Sequence, residues 1–269
     1  MNEVLYAFLL TLIAGLFTAI GGLITLFQKK DNANFLALAL SFSAGVMVYV
    51  SFVEIFTKAL YDLEELYGPE TGLAVTTIAF FGGILFIAII MKLVPEGEDN
   101  IAEFKDPEAR KNLTEKERKS LRRMGIMTAL AIAIHNFPEG LVTFVGALQD
   151  PALGATIAAA IAIHNIPEGI AVAVPIKYAT GSKVKAFWAA ALSGLTEPLG
   201  ALVGYFLILQ WLGDNMLGIV FASVGGIMVY ISIAELLPTA HKYGDNFKVT
   251  VGFFAGMFIM AVSLILLNF

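Results

Sequence analysis

The sequence predicts an all-α integral membrane protein with eight transmembrane helices in a 3+2+3 inverted-repeat arrangement. Three observations carry that prediction: an excess of apolar residues, eight runs long enough to cross a bilayer, and two internal repeats. Of 269 residues, 58% are hydrophobic and 14% charged, with a mean hydropathy of +0.80. Soluble domains carry roughly 45–50% apolar residues with glycine included, and about a quarter charged. A disordered chain needs the reverse balance and is excluded. So is a nucleic-acid binder, because 17 basic against 22 acidic residues give a net charge of -5 with no basic stripe. Cysteine is absent, which removes disulfides, thiolate metal sites and cysteine nucleophiles.

The hydrocarbon core of a bilayer takes about 20 apolar residues of helix, and turn or charge signals divide the chain into eight such runs. The first, Val4–Phe27, stops at Gln28-Lys29-Lys30-Asp31, and the second, Asn34–Thr57, is followed by the acidic connection Asp62-Leu63-Glu64-Glu65. Gly72–Val94 runs into a charged stretch, Pro95 to Met124, from which Gly125–Leu148 emerges to end at Gln149-Asp150. Pro151–Ile176 opens on a proline, favoured in a first helical turn, and Lys177 to Lys185 connects it to Ala186–Leu209. Gly213-Asp214 then leads into Asn215–Ala240, and His241 to Lys248 into Val249–Phe269. The whole is one transmembrane domain, 1–269: spans one to three in 1–94, a charged loop at 95–124, spans four and five in 125–176, and spans six to eight in 186–269.

Cytoplasmic loops retain lysine and arginine. With the N-terminus outside, 16 of the 17 basic residues fall on the inner side and only Lys58 on the outer. Both termini are therefore expected outside the cytoplasm, in a multi-pass protein of the cell membrane. With three residues before the first span, no signal peptide with a positive n-region is expected, and the first helix serves as its own insertion signal. The loop holds 16 of the 39 charged residues, eight of each sign, and no histidine. It reads as a solvated, partly helical connector, in which Thr114 and Glu117 form a capping-box pattern for a short helix toward Arg123.

Two repeats set the architecture. Gly45-Val46-Met47-Val48-Tyr49-Val50-Ser51-Phe52-Val53-Glu54 in span two matches Gly226-Ile227-Met228-Val229-Tyr230-Ile231-Ser232-Ile233-Ala234-Glu235 in span seven, an offset of 181. Spans one and six share a fainter echo, Gly15-Leu16 with Gly194-Leu195 and Gly21 with Gly200. Spans one to three thus repeat as six to eight with opposite topology. The second repeat is tighter: Ala131 to Gly140 recurs as Ala160 to Gly169 at an offset of 29. These spans are consecutive, hence antiparallel, and their motifs are expected to meet at the midplane.

A charged side chain at a helix centre in lipid costs about 2.5–3.5 kcal/mol on the insertion scale. Glu139, Glu168 and Glu197 must therefore face one another or a wet cavity, and no lysine or arginine lies near mid-span to neutralise them. The missing partner is a bound cation or bound protons. His135 and Glu139 stand at i and i+4 on one helical face, with Asn136 one step around; His164, Glu168 and Asn165 reproduce the set. Imidazole suits zinc, iron and their neighbours, and carboxylate or carbonyl oxygen suits harder cations; a mixed set without thiolate suggests an exchangeable site. Pro138, Pro167 and Pro198 free the carbonyls of Ile134, Ile163 and Gly194, which a membrane tolerates where protein, water or a ligand satisfies them. Glu54 and Glu235, nearer their span ends, fit a vestibule or snorkelling role as well as ligation. His241 reads as interfacial, while Met47 and Met228 read as core.

His-Asn-Phe-Pro-Glu-Gly (135–140), His-Asn-Ile-Pro-Glu-Gly (164–169) and Ser-Gly-Leu-Thr-Glu-Pro-Leu-Gly (193–200) closely resemble the ZIP family of divalent-metal transporters, in particular its short bacterial ZupT-like branch. The resemblance covers essentially the whole chain. It implies a binuclear site: one metal held by His135, Glu139, His164 and Glu168 and approached by Met47, a second by Asn136, Asn165 and Glu197 with Glu139 and Glu168 bridging. It further implies import of zinc, with iron, manganese, cobalt or cadmium as further substrates, by an elevator-type movement. No cofactor is required on this reading, and the partners are the metal ions and the lipid bilayer, with a homodimer allowed for. The loop lacks the histidines of larger relatives, and no extracellular domain is expected, which leaves metal sensing by the loop and external capture in doubt. Two rival readings remain: an intramembrane metal hydrolase, although His-Glu-x-x-His is absent, and a channel built on the same site.

Overall fold

The computed structural model describes residues 3–27, 33–93, 114–208 and 216–267, which form helices joined by tight turns, with no strand among the described residues. In chain order the helices are α1 (Glu3–Phe27), α2 (Ala33–Tyr67), α3 (Pro69–Leu93), α4 (Glu115–Gln149), α5 (Pro151–Thr180), α6 (Lys183–Phe206), α7 (Leu217–Tyr243) and α8 (Asn246–Leu267). Among the described residues, seven of them, α1–α3 and α5–α8, are long and apolar enough to cross a membrane by length and composition. The expected fourth span, Gly125–Leu148, lies inside the 35 residues of α4.

Several boundaries differ from those read in the sequence. The acidic stretch Asp62 to Glu65 is helix, and the chain turns instead at Gly68, whose φ of 81° suits glycine, before Pro69 opens α3. Charge alone does not end a helix, since glutamate is a good helix former. Likewise the helix predicted from Thr114 toward Arg123 is the beginning of α4 and runs into the fourth span without a break. Most of the charged loop, 94–113, lies outside the described residues, as do 28–32 and 209–215. Elsewhere local chemistry accounts for the ends. Asp150 caps α5 by accepting from the amides of Ala152 (2.8 Å) and Leu153 (3.4 Å), and Gly181 closes that helix at φ 65°. Lys177 donates to the carbonyl of Thr25 at 3.1 Å and Lys183 to that of Leu26, placing two cations on the C-terminal carbonyls of α1. Asp245 accepts from the Lys248 amide (2.9 Å) and ammonium (2.6 Å) at the start of α8, and these bonds hold its carboxyl below the usual carboxylate range.

Besides a π turn at Gly204–Ile208 at the end of α6, the long helices carry two at equivalent places: Ser51–Phe56 in α2 and Ser232–Leu236 in α7. Each opens on a serine bonding its own helix, Ser51 Oγ to the Met47 carbonyl (2.6 Å) and Ser232 Oγ to that of Met228 (2.7 Å). Such back-bonding competes with the ladder and accompanies wider turns. α6 breaks at Leu195, so that Glu197 lies in the first turn of its second half.

Helices α1, α4, α5 and α6 pack on one another, while α2 packs along α8 and α3 along α7; α2 also meets α5 across the two groups. Glycine brings the backbones together. Gly21 faces the carbonyl of Ile166 and Gly200 that of Phe137; Gly169 faces that of Thr18 and Gly140 that of Glu197; Gly45 faces Phe253 and Gly226 faces Phe80. Without a hydrophobic drive between helices in lipid, close approach of this kind is a main source of association. A cavity of about 710 Å³ lies between α3, α7, α4 and α6, lined among others by Gly83, Phe86, Phe137, Pro138, Thr196 and Val224. Polarity is inverted relative to a soluble protein: Ile78, Phe81, Leu85, Phe258 and Leu266 are exposed, whereas Asn136, Glu139, His164, Asn165, Glu168 and Glu197 are fully buried.

Candidate metal site

The two repeated motifs lie on α4 and α5, which run side by side and antiparallel across the one-residue turn at Asp150. Both prolines are carried within continuous helix, so the motif residues keep helical spacing. His164 Nε2 of α5 stands 3.3 Å from Glu139 Oε1 of α4. Asn165 Nδ2 donates to Glu197 Oε1 at 2.5 Å and to the carbonyl of Ala14 at 2.9 Å, linking α5 to α6 and α1. On the other side Asn136 Nδ2 donates to the Ser193 carbonyl at 3.4 Å. That carbonyl also receives the Thr196 hydroxyl at 2.6 Å, beside the break in α6. Glu168 Oε1 accepts from Ser43 Oγ of α2 at 3.1 Å.

The remaining valences are informative. Asn136 Oδ1, both oxygens of Glu139, Asn165 Oδ1 and Glu197 Oε2 are buried with no hydrogen-bond donor among the described residues. Every one is an acceptor. Among the described residues no lysine or arginine is a buried polar side chain, so three carboxyls are desolvated beside histidine. Burying such charges uncompensated is strongly unfavourable. Oxygens of this kind, with imidazole nitrogen beside them, can hold a divalent cation in place of its water shell.

The structure thus brings together Asn136, Glu139, His164, Asn165, Glu168 and Glu197 on α4, α5 and α6. Of His135, only the backbone position in α4 is described. No group of three or more His, Asp or Glu among the described residues forms a ready metal cage. Met47 is fully buried in α2. Glu54 and Glu235 sit half-buried in the two π turns, two helical turns beyond Met47 and Met228, and His241 is exposed at the end of α7. Sequence reasoning missed Ser43. The available signal was its position one helical turn before Met47, on the same face of α2.

A family model described as ZIP Zinc transporter matches residues 94–264. The chain belongs to the ZIP family. Its similarity to curated members extends over nearly its full length. The zinc transporter ZupT of Clostridium perfringens is 53% identical over 278 residues, covering 99% of this chain and 97% of that protein. That of Chlorobium chlorochromatii is 52% identical over 265 residues, 98% of each. That of Oceanobacillus iheyensis is 53% identical over 268 residues, 99% of this chain and all of that protein. This ZIP chain is accordingly a multi-pass membrane protein and a transporter rather than an enzyme.

Proposed function

We propose that the protein imports zinc across the cell membrane into the cytoplasm by alternating access, through a binuclear midplane site. One ion is held by His135, Glu139, His164 and Glu168, with Met47 at its approach. The second is held by Asn136, Asn165 and Glu197, with Glu139 and Glu168 bridging. Iron, manganese, cobalt and cadmium are further candidate substrates of the same ligands. The observation that carries the reading is the set of buried oxygens on Asn136, Glu139, Asn165 and Glu197 that have no donor, and no buried lysine or arginine, among the described residues. Zinc transport by the relatives agrees with it.

Alternating access fits a 3+2+3 inverted repeat in which α1–α3 correspond to α6–α8 and α4 to α5. The glycine contacts support that correspondence, because Gly21 on Ile166 and Gly200 on Phe137 are the same contact under offsets of 179, the spacing of Gly15 and Gly194, and 29, as are Gly169 on Thr18 and Gly140 on Glu197. The π turns support it too. With the termini outside, α1, α4, α5 and α6 would carry the site against α2, α3, α7 and α8. The test is zinc uptake by purified protein in liposomes: Glu168→Ala should abolish saturable uptake at normal protein levels. Unchanged uptake would remove the midplane assignment.

A further inference from the structure

Serines and threonines buried in an apolar helix usually satisfy their hydroxyl on a carbonyl one turn back. Ser41, Ser51 and Thr76 do so here, on Ala37 (2.8 Å), Met47 (2.6 Å) and Gly72 (2.8 Å). Ser43, fully buried on the same helix as Ser41 and Ser51, points elsewhere. Its Oγ lies 3.1 Å from Glu168 Oε1 and 3.4 Å from the His164 carbonyl, both on α5. A hydroxyl has one proton, and of the two acceptors the Glu168 oxygen stands at the shorter distance.

The residue at the equivalent place in the other repeat, 181 positions on, is Val224, which borders the cavity between α3, α7, α4 and α6. Glu139, the partner of Glu168 at the offset of 29, has no hydroxyl donor among the described residues. The two motif glutamates are therefore alike in sequence and unlike in environment. One is tied by α2, and the other is not.

We infer that Ser43 is a positioning residue of the substrate site. Its hydroxyl holds Oε1 of Glu168 from the neighbouring helix group and so fixes the orientation of that carboxyl. This inference rests on the midplane reading above. An outer-shell hydrogen bond to a metal-binding carboxylate fixes its rotamer, and its loss typically costs 10- to 100-fold in affinity or activity, by about the rule for such partners. Because Ser43 touches the ligand and not the ion, its loss should act on KM rather than on the maximal rate.

The experiment is saturable zinc uptake in proteoliposomes, with Glu168→Ala, Ser43→Ala, Ser43→Thr and Ser41→Ala measured in parallel at matched protein levels. Ser43→Ala should raise KM about tenfold with the maximal rate within about twofold, Ser43→Thr should restore KM, and Ser41→Ala should leave it alone. An unchanged KM in Ser43→Ala overturns the inference, and so does an equal rise in Ser43→Ala and Ser43→Thr, which would assign the effect to packing. If Glu168→Ala transports normally, the site reading itself fails. If Glu168→Ala is inactive and Ser43→Ala keeps its KM, only the role of Ser43 fails.

Discussion

Gly140 closes the first His-Asn-Phe-Pro-Glu-Gly motif, and replacing it with alanine tests whether backbone contact between α4 and α6 sets the dimensions of the site. A Cβ at Gly140 would stand 2.0 Å from the carbonyl oxygen of Glu197 and 2.5 Å from its carbonyl carbon and Cα. Real Cβ contacts stay beyond 3.0 Å, so the oxygen must move from 2.0 Å to at least 3.0 Å, a retreat of 1.0 Å or more. All three obstructing atoms are backbone, and no rotamer change relieves them. The shift falls on Glu197 itself, whose carboxylate is bonded to Asn165 at 2.5 Å. On the proposed reading, in which Glu197 is a metal ligand, a displacement several times the tolerance of about 0.2 Å for such a site would remove it from the set. Overpacking of this kind also costs about 1–3 kcal/mol in stability. Zinc uptake in proteoliposomes should fall by about tenfold or more, with membrane insertion retained. Gly82→Ala is the control, because nothing lies within 4 Å of its added Cβ. If both variants transport like the parent, close contact at Gly140 does not position Glu197.

Two further outcomes are expected. Protons compete with metal for histidine and carboxylate ligands, so uptake should weaken as the external medium is taken from about pH 7.5 to about pH 5.5; a flat profile counts against direct ligation. Asn165→Ala should leave Glu197 Oε1 and the Ala14 carbonyl without the donor they share, lowering zinc affinity by about tenfold in an equilibrium titration of purified protein. Affinity equal to the parent's would show that the amide does not order the site.

The elements most legible in the sequence were those fixed by composition and periodicity. The apolar runs gave the helices, because a lipid-facing helix has no polar face to confuse with a loop. Helix ends were less legible. Asp62 to Glu65 reads as a connection by charge, yet α2 continues to Tyr67 and the turn waits for Gly68. The reason is that a helix can project beyond the hydrocarbon at no cost to its ladder, so polarity marks the membrane boundary and glycine with proline marks the helix boundary. The break in α6 at Leu195 was signalled only indirectly, by Pro198 freeing the carbonyl of Gly194. For the site, the motifs named the buried groups on α4, α5 and α6, since histidine, asparagine and glutamate are conspicuous in an apolar span. Ser43 was invisible for the opposite reason: a lone serine in a helix ordinarily bonds its own backbone, and only the packing of α2 on α5 turns it toward Glu168.

The duplicated motif also conceals an inequality that spacing alone cannot reveal. Asn165 and Asn136 make corresponding bonds, to the carbonyls of Ala14 and Ser193, whose separation of 179 is that of Gly15 and Gly194. Around this shared frame two positions differ. Glu197 stands where the other copy has Thr18, and Ser43 where it has Val224. Both polar additions bond α5, Glu197 through Asn165 and Ser43 through Glu168. The α4 half receives neither, and Asn136 Oδ1 and both oxygens of Glu139 have no donor among the described residues. The two motif glutamates are therefore held unequally: Glu168 of α5 accepts from Ser43 of α2, while Glu139 of α4 has no hydrogen-bond donor among the described residues.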